Sequence, residues 1–226
     1  MPQSTSPERS ARAEFQAGVV AMLPAAVAVI PFGLLFGALA ASKGLTTLEV
    51  LLMSGIVFAG ASQFIAVELW LEPAPWALLG LTALTVNLRH VMMSASIARR
   101  LGTFSPPGKL IALFFLADEV WALAERRAGE QGLHRAFYAG LAAVMYLNWL
   151  LWTGLGTGLG VVIANPAAWG FDFAFTALFI GLVAAFWSGR TSAIVVAVSA
   201  IAAILLERTA GGVWHIMAGG AAGMLA

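Results

Sequence analysis

Two stretches of this chain, Ala17 to Ala41 and Ala136 to Ile163, contain no ionised side chain. Each exceeds the roughly 20 residues an α-helix needs to cross about 30 Å of hydrocarbon. Lipid offers no partner for an exposed N–H or C=O, so a segment in the bilayer must satisfy its own backbone, as a helix does. The composition agrees: 61% of residues are hydrophobic and 10% are charged, against about 25% charged in soluble domains. The expected fold is therefore all-α, a polytopic integral membrane helical bundle. No separate soluble domain fits, because the longest polar stretches are the first 16 residues and the connector from Glu125 to Arg135. The apolar run after the polar N-terminus is longer than a signal peptide core and reads as a retained first helix. With no cysteine, disulfides, thiolate metal sites and cysteine nucleophiles are excluded.

Breaks at charge, proline and glycine divide residues 1–226, read as one membrane transport domain, into eight hydrophobic segments: 17–41, 48–71, 76–98, 108–124, 136–163, 173–188, 191–206 and 213–226. Three are short for a span, so the expectation is six to eight segments, some of them re-entrant or broken. Lys and Arg concentrate in short cytoplasmic loops. Eight alternating spans with the N-terminus inside put six of them inside (Arg9, Arg12, Arg126, Arg127, Arg135, Arg190) and five outside (Lys43, Arg99, Arg100, Lys109, Arg208). If the second and fourth segments dip in and return, the count becomes nine against two. Gly55, Gly60, Ser62 and Gln63 in the second segment, and Asp118 and Glu119 at the end of the fourth, suit non-helical backbone lining a cavity. Ordinary tilted helices are the alternative.

The third segment carries Asn87, Leu88, Arg89 and His90 where lipid-facing residues would be apolar. On a helical wheel Asn87, His90 and Ser94 form one stripe, while Thr82, Thr85, Arg89 and Ser96 lie nearly opposite. A helix polar on two sides belongs inside the bundle. Interhelical hydrogen bonds, worth about 0.6 kcal/mol each, would account for Asn87 and His90 alone. Arg89 cannot be deprotonated and must be paired or solvated, at an insertion cost of about 3 kcal/mol. The acidic pair Asp118 and Glu119 is the expected partner; two adjacent carboxylates resist joint ionisation, so one can exchange a proton, the alternative being that they simply end a short helix at the interface beside Glu125 to Arg127.

In FAGASQF, Gly60 permits close backbone approach and Ser62 and Gln63 offer hydrogen bonds. Pro24 and Pro31 free carbonyls near Gly33 and Gly37, either for a ligand or simply as packing kinks. Gly33 and Gly37 also echo Gly154 and Gly158, which reads as a trace of duplication or as helix packing. Asn148 lies between Trp149 and Trp152, read as interface or packing anchors.

PFGLLFGALAASKGL, MSGIVFAGASQF, LTVNLRHVMMSASIA and ADEVWAL, in this order over residues 18–124, resemble the AzlC family, the large subunit of bacterial branched-chain amino acid exporters. NPAAWGFDFAFTALFIGLVAAF extends the likeness more loosely. The resemblance implies secondary, proton-coupled export of branched-chain or other hydrophobic amino acids across the bacterial cytoplasmic membrane; the Lys and Arg count favours a cytoplasmic N-terminus. It also implies a small AzlD-type membrane partner subunit, and a higher oligomer is compatible with it. The family commonly has a threonine before the Asp-Glu pair where this chain has Ala117, and aromatics where it has Met92 and Met93.

On this reading Gly60, Ser62, Gln63, Asn87 and Arg89 bind the amino acid, and His90, Asp118 and Glu119 couple protons. Phe58, Phe64 and Met92 would receive the apolar side chain. The expected partners are the small subunit, the substrate, protons and lipid, with no nucleic acid. No cofactor or metal is expected, and there is no P-loop to suggest ATP. A passive channel or a non-transporting structural subunit are the rivals; an enzyme is disfavoured by the lack of H-E-x-x-H or Ser-Lys motifs.

Overall fold

In the computed structural model, residues 10–70, 73–162, 180, 183, 184, 187–210 and 214–226 are described. Most of the expected sixth segment, the first nine residues and Glu72 lie outside them. Among the described residues all long elements are helices: α1 (Ala11–Ser42), α2 (Thr47–Ile56), α3 (Gly60–Glu68), α4 (Trp76–Ala98), α5 (Pro106–Phe114), α6 (Asp118–Gln131), α7 (Arg135–Val162), α8 (Arg190–Ala210) and α9 (Trp214–Leu225). Three, α1, α7 and α8, are long and apolar enough to cross a membrane. Local chemistry sets their ends. The Ser10 hydroxyl accepts from the Ala13 N–H, Thr46 and Glu49 form a reciprocal capping box, and Ser105 caps α5 with Pro106 in its first turn. These side chains satisfy N–H groups that a helix start leaves without partners.

Where the sequence shows one apolar run over 48–71, the structure has two helices, α2 and α3. Between them Phe58 has φ 44°, the single non-glycine residue with positive φ among those described. The run at 108–124 is likewise divided, into α5 and α6, by Phe115, Leu116 and Ala117.

The chain folds as two compact units, residues 1–59 with 89–162, and residues 60–88 with 163–226, the boundary falling inside α4. In the first unit α1 and α7 run parallel. Gly18 packs on Phe137 and Gly140, Gly33 on Trp152, and Gly37 on Thr153, Gly156 and Thr157. A Cβ on Gly37 would stand 2.1 Å from the Thr153 carbonyl oxygen, and one on Gly156 2.3 Å from that of Leu34. Such direct backbone contact drives helix association in lipid, where burial of apolar surface gives no advantage over the hydrocarbon. Gly154, by contrast, faces Leu51 and Gly158 faces open space. Its environment separates that pair from Gly33 and Gly37, and packing accounts for the latter.

Two parallel helices require the chain between them to return. Antiparallel to α7, α2 places Thr47 at Thr157, their hydroxyls 2.9 Å apart, Leu51 at Gly154, and Gly55 at Tyr146. The α5–α6 hairpin enters and leaves at the opposite end, where α1 and α7 begin. Phe104, just before α5, packs on Tyr138 and under Arg135, and Arg127 near the end of α6 reaches Glu14. Its tip, Phe115, touches Tyr146. Tyr146 is eleven residues into α7, about 16 Å along the axis and so about half the thickness of the hydrocarbon. At the end where α1 and α7 begin lie Arg12, Arg99, Arg100, Lys109, Arg126, Arg127 and Arg135; at the other end of this unit lies Lys43.

In the second unit α8 and α9 pack antiparallel, Gly219 against Ser199 and Ala203, and Gly223 against Val195 and Ser199. Thr85 of α4 lies beside Gly220. Ile194, Ile201, Ile204 and Leu205 of α8 are exposed, as suits a surface solvated by lipid tails.

Candidate functional site

The first unit places a charged pair at the tip of its hairpin. Arg89 opens the part of α4 that belongs to this unit, and its Nη1 donates to Asp118 Oδ2 at 2.6 Å. Asp118 starts α6, where the positive end of the helix dipole favours a carboxylate. Both side chains keep partial access, 33% and 28%, so the pair is neither sealed in protein nor free in solvent. His90 lies against the backbone of Leu116 in the break, and its Nδ1 has no partner. Arg89 Nε and Trp121 Nε1 are also buried without partners. Buried polar atoms are nearly always hydrogen-bonded, and these three are exceptions. Glu119 is half-buried and forms no ion pair among the described residues.

Above this pair the two breaks of the unit converge on α7. The Phe58 ring lies 5.1 Å from Tyr146 and 6.4 Å from Phe115, and Phe115 lies 5.1 Å from Tyr146, all edge-on. The chain has two tyrosines, and each holds a carbonyl at the C-terminal end of a half-helix. Tyr146 donates to Gly55 at 3.1 Å and Tyr138 to Ala112 at 2.6 Å. Asn148 donates to the Ala26 carbonyl in proline-kinked α1 and accepts from Trp152, both at 3.0 Å. Sequence reasoning took Asn148 for a neighbour of anchoring tryptophans and did not single out the tyrosines.

The second unit carries the remaining predicted residues. Gly60 begins α3, with Ser62 and Gln63 in its first turn. Both side chains are buried, Gln63 completely, and Ser62 Oγ has no partner. Asn87 lies on α4 with Oδ1 buried and unpartnered. Phe64 is buried in this unit, while Met92 of the first unit is exposed.

The partnerships of Glu125 and Arg127 were not marked by the sequence. Seven positions after Arg89 and Asp118, Ser96 donates to Glu125, which Arg100 also contacts at 3.3 Å. The equal 29-residue separation of both pairs was the available signal. Arg127 holds both oxygens of Glu14, at 2.8 and 2.9 Å, and stacks 4.8 Å over Phe137. Glu14 falls in the stretch read as a polar N-terminal segment, yet it is 6% exposed. Among the described residues no group of His, Asp and Glu could hold a metal ion.

The AzlC protein family model matches residues 24–163, a span containing α2 to α6 and nearly all of the charged pair's surroundings. The chain belongs to the AzlC family. It is 32% identical over 183 residues to an uncharacterised membrane protein of Archaeoglobus fulgidus, covering 80% of each chain. It is 28% identical to the inner membrane protein YgaZ of Escherichia coli, over 86% of this chain and 82% of that one. It is 26% identical to the branched-chain amino acid transport protein AzlC of Bacillus subtilis, over 77% of this chain and 68% of that one. No solved structure matches. A membrane amino-acid transport role follows for this AzlC-family chain.

Proposed function

We propose that the chain is the large subunit of a proton-coupled exporter of branched-chain or other hydrophobic amino acids in the bacterial cytoplasmic membrane. The Arg89–Asp118 pair supports this reading most directly. A substrate zwitterion inserts into it, giving its carboxylate to Arg89 and its ammonium to Asp118. A proton on Asp118 neutralises the carboxylate and expels the ammonium. Substrate and proton therefore compete, as exchange of an outgoing amino acid for an incoming proton requires. Glu119 and His90 share the proton, since neighbouring titratable groups bind protons as a set. A small AzlD-type subunit completes the complex. The excess of Lys and Arg where α1 and α7 begin supports a cytoplasmic N-terminus.

Arg89→Gln should reduce leucine export from loaded cells on the order of a hundredfold, the scale of one lost desolvated charge contact. Its amount in the membrane should stay unchanged. Undiminished export by this variant would remove Arg89 from the substrate site. Saturable leucine counterflow in vesicles separates this carrier from a pore, which would equilibrate the label without exchange.

A further inference from the structure

We propose that Glu125 is a proton-relay residue, joining Asp118 to the water at the end of the first unit where α1 and α7 begin. This rests on the proton-coupled reading above.

Asp118 and Glu125 are seven residues apart on α6, two turns within about 20° of one another, and so share a stripe. Their α4 partners, Arg89 and Ser96, have the same spacing, and each pair is joined by a hydrogen bond. Along this face α4 and α6 therefore repeat one arrangement at two depths. Trp121 occupies the α6 stripe between the two acids, and its Nε1 is buried without a partner. Arg89 Nε is orphaned at the inner end of the same face, and the neighbouring His90 Nδ1 is orphaned too. Polar atoms in this condition hold ordered water when there is room. The two carboxylates lie about 10 Å apart along the helix axis, too far for direct transfer. Two or three waters at ordinary spacing of about 2.8 Å bridge that distance.

Glu125 is suited to the outer end of such a chain. Its side chain is 21% exposed, and the Ser96 hydroxyl beside it both donates and accepts. Among the described residues Arg100, just past the end of α4, is the cation in contact with it. Glu14 of α1 and Arg127 of α6 are engaged with one another. On release, the Asp118 carboxyl gives its proton to the nearest water and the last water gives one to the Glu125 carboxylate. Glu125 then yields it to bulk solvent. Asp118 is left ionised and pairs with Arg89 or a substrate ammonium. Uptake is the reverse.

A pin between α4 and α6 would use the same contacts, and the two roles differ in which flux they limit. Substrate exchange needs no proton movement, whereas net transport does. The test uses inverted membrane vesicles from cells expressing the full chain at its native locus. Labelled leucine is followed first as uptake driven by a proton gradient, then as leucine–leucine exchange at equal pH. Glu125→Gln should lower gradient-driven uptake tenfold or more, on the scale at which a positioned proton donor matters, and leave exchange within about twofold. Glu125→Asp should recover most of the driven uptake. Ser96→Ala should show the same split more weakly, and it reads the outcome if Glu125→Gln does not reach the membrane. Equal loss of both fluxes makes Glu125 a pin and overturns the relay, and so does unchanged driven uptake. Wild-type vesicles indifferent to the gradient would overturn the proton-coupled reading itself and the relay with it. A responsive wild type with an equally responsive Glu125→Gln removes the relay alone.

Discussion

Arg127 and Arg89 sit in the same unit, each against a carboxylate, in contrasting surroundings. Arg127 grips both oxygens of Glu14, lies over the Phe137 ring, and is 13% exposed against 8% for its partner. Arg89 touches one oxygen of Asp118, and both side chains keep about a third of their access. Around Arg89 lie the orphaned atoms of His90 and Trp121; around Arg127 its own Nε is the orphan. The first pair fastens the end of α6 to the start of α1. The second sits at a helix break and leaves both charges partly accessible. One pair is held through both carboxylate oxygens and covered; the other is held through one and accessible, which suits the exchange proposed above.

That contrast can be broken from either side. Arg127→Gln strands Glu14 in a dry site and should cost about 3 kcal/mol, the effect of removing one partner of a buried pair. Thermal unfolding in detergent should show the loss, while the KM for leucine of the folded fraction stays where it was. Replacing both partners with leucine should recover most of that stability, because no lone charge remains. A raised KM in Arg127→Gln would erase the distinction between the two pairs. A smaller effect is expected at the convergence of the breaks. Tyr146→Phe keeps the ring against Phe58 and Phe115 but frees the Gly55 carbonyl, costing about 1 kcal/mol of unfolding stability. The smallest is at Ala117, the extended residue before α6, which offers no side-chain cap. Ala117→Thr should add up to about 1 kcal/mol to stability, fixing the α6 start and sharpening the difference between a mobile and a fastened carboxylate. Unchanged unfolding would show that the N–H groups there are already satisfied.

Much of the site was legible early because charge in an apolar run is conspicuous. Arg89, Asp118 and Glu119 stood out on cost alone, and their candidate pairing is the one geometry realises between Arg89 and Asp118. Glu125 and Arg127 were hidden, since on a linear reading they belong to a polar connector. Only the return of α6 along α4 and α1 brings them against Ser96 and Glu14. The tyrosines were hidden for a similar reason. A hydroxyl in a long apolar helix is unremarkable until half-helix carbonyls are found at its tip.

The sequence by itself determined the solvent, the helical class, the polarity of α4 and the family. Those properties are sums over neighbouring residues: enough apolar side chains in a row force a backbone to close its hydrogen bonds locally as a helix. Tertiary structure alone decided that α1 and α7 run parallel and which acid each arginine meets, and it chose between the dipping and the tilted reading of the fourth segment. Those outcomes depend on which helix surfaces can approach closely, as Gly37 and Gly156 do. That choice is made between residues more than a hundred positions apart, and no local sum contains it.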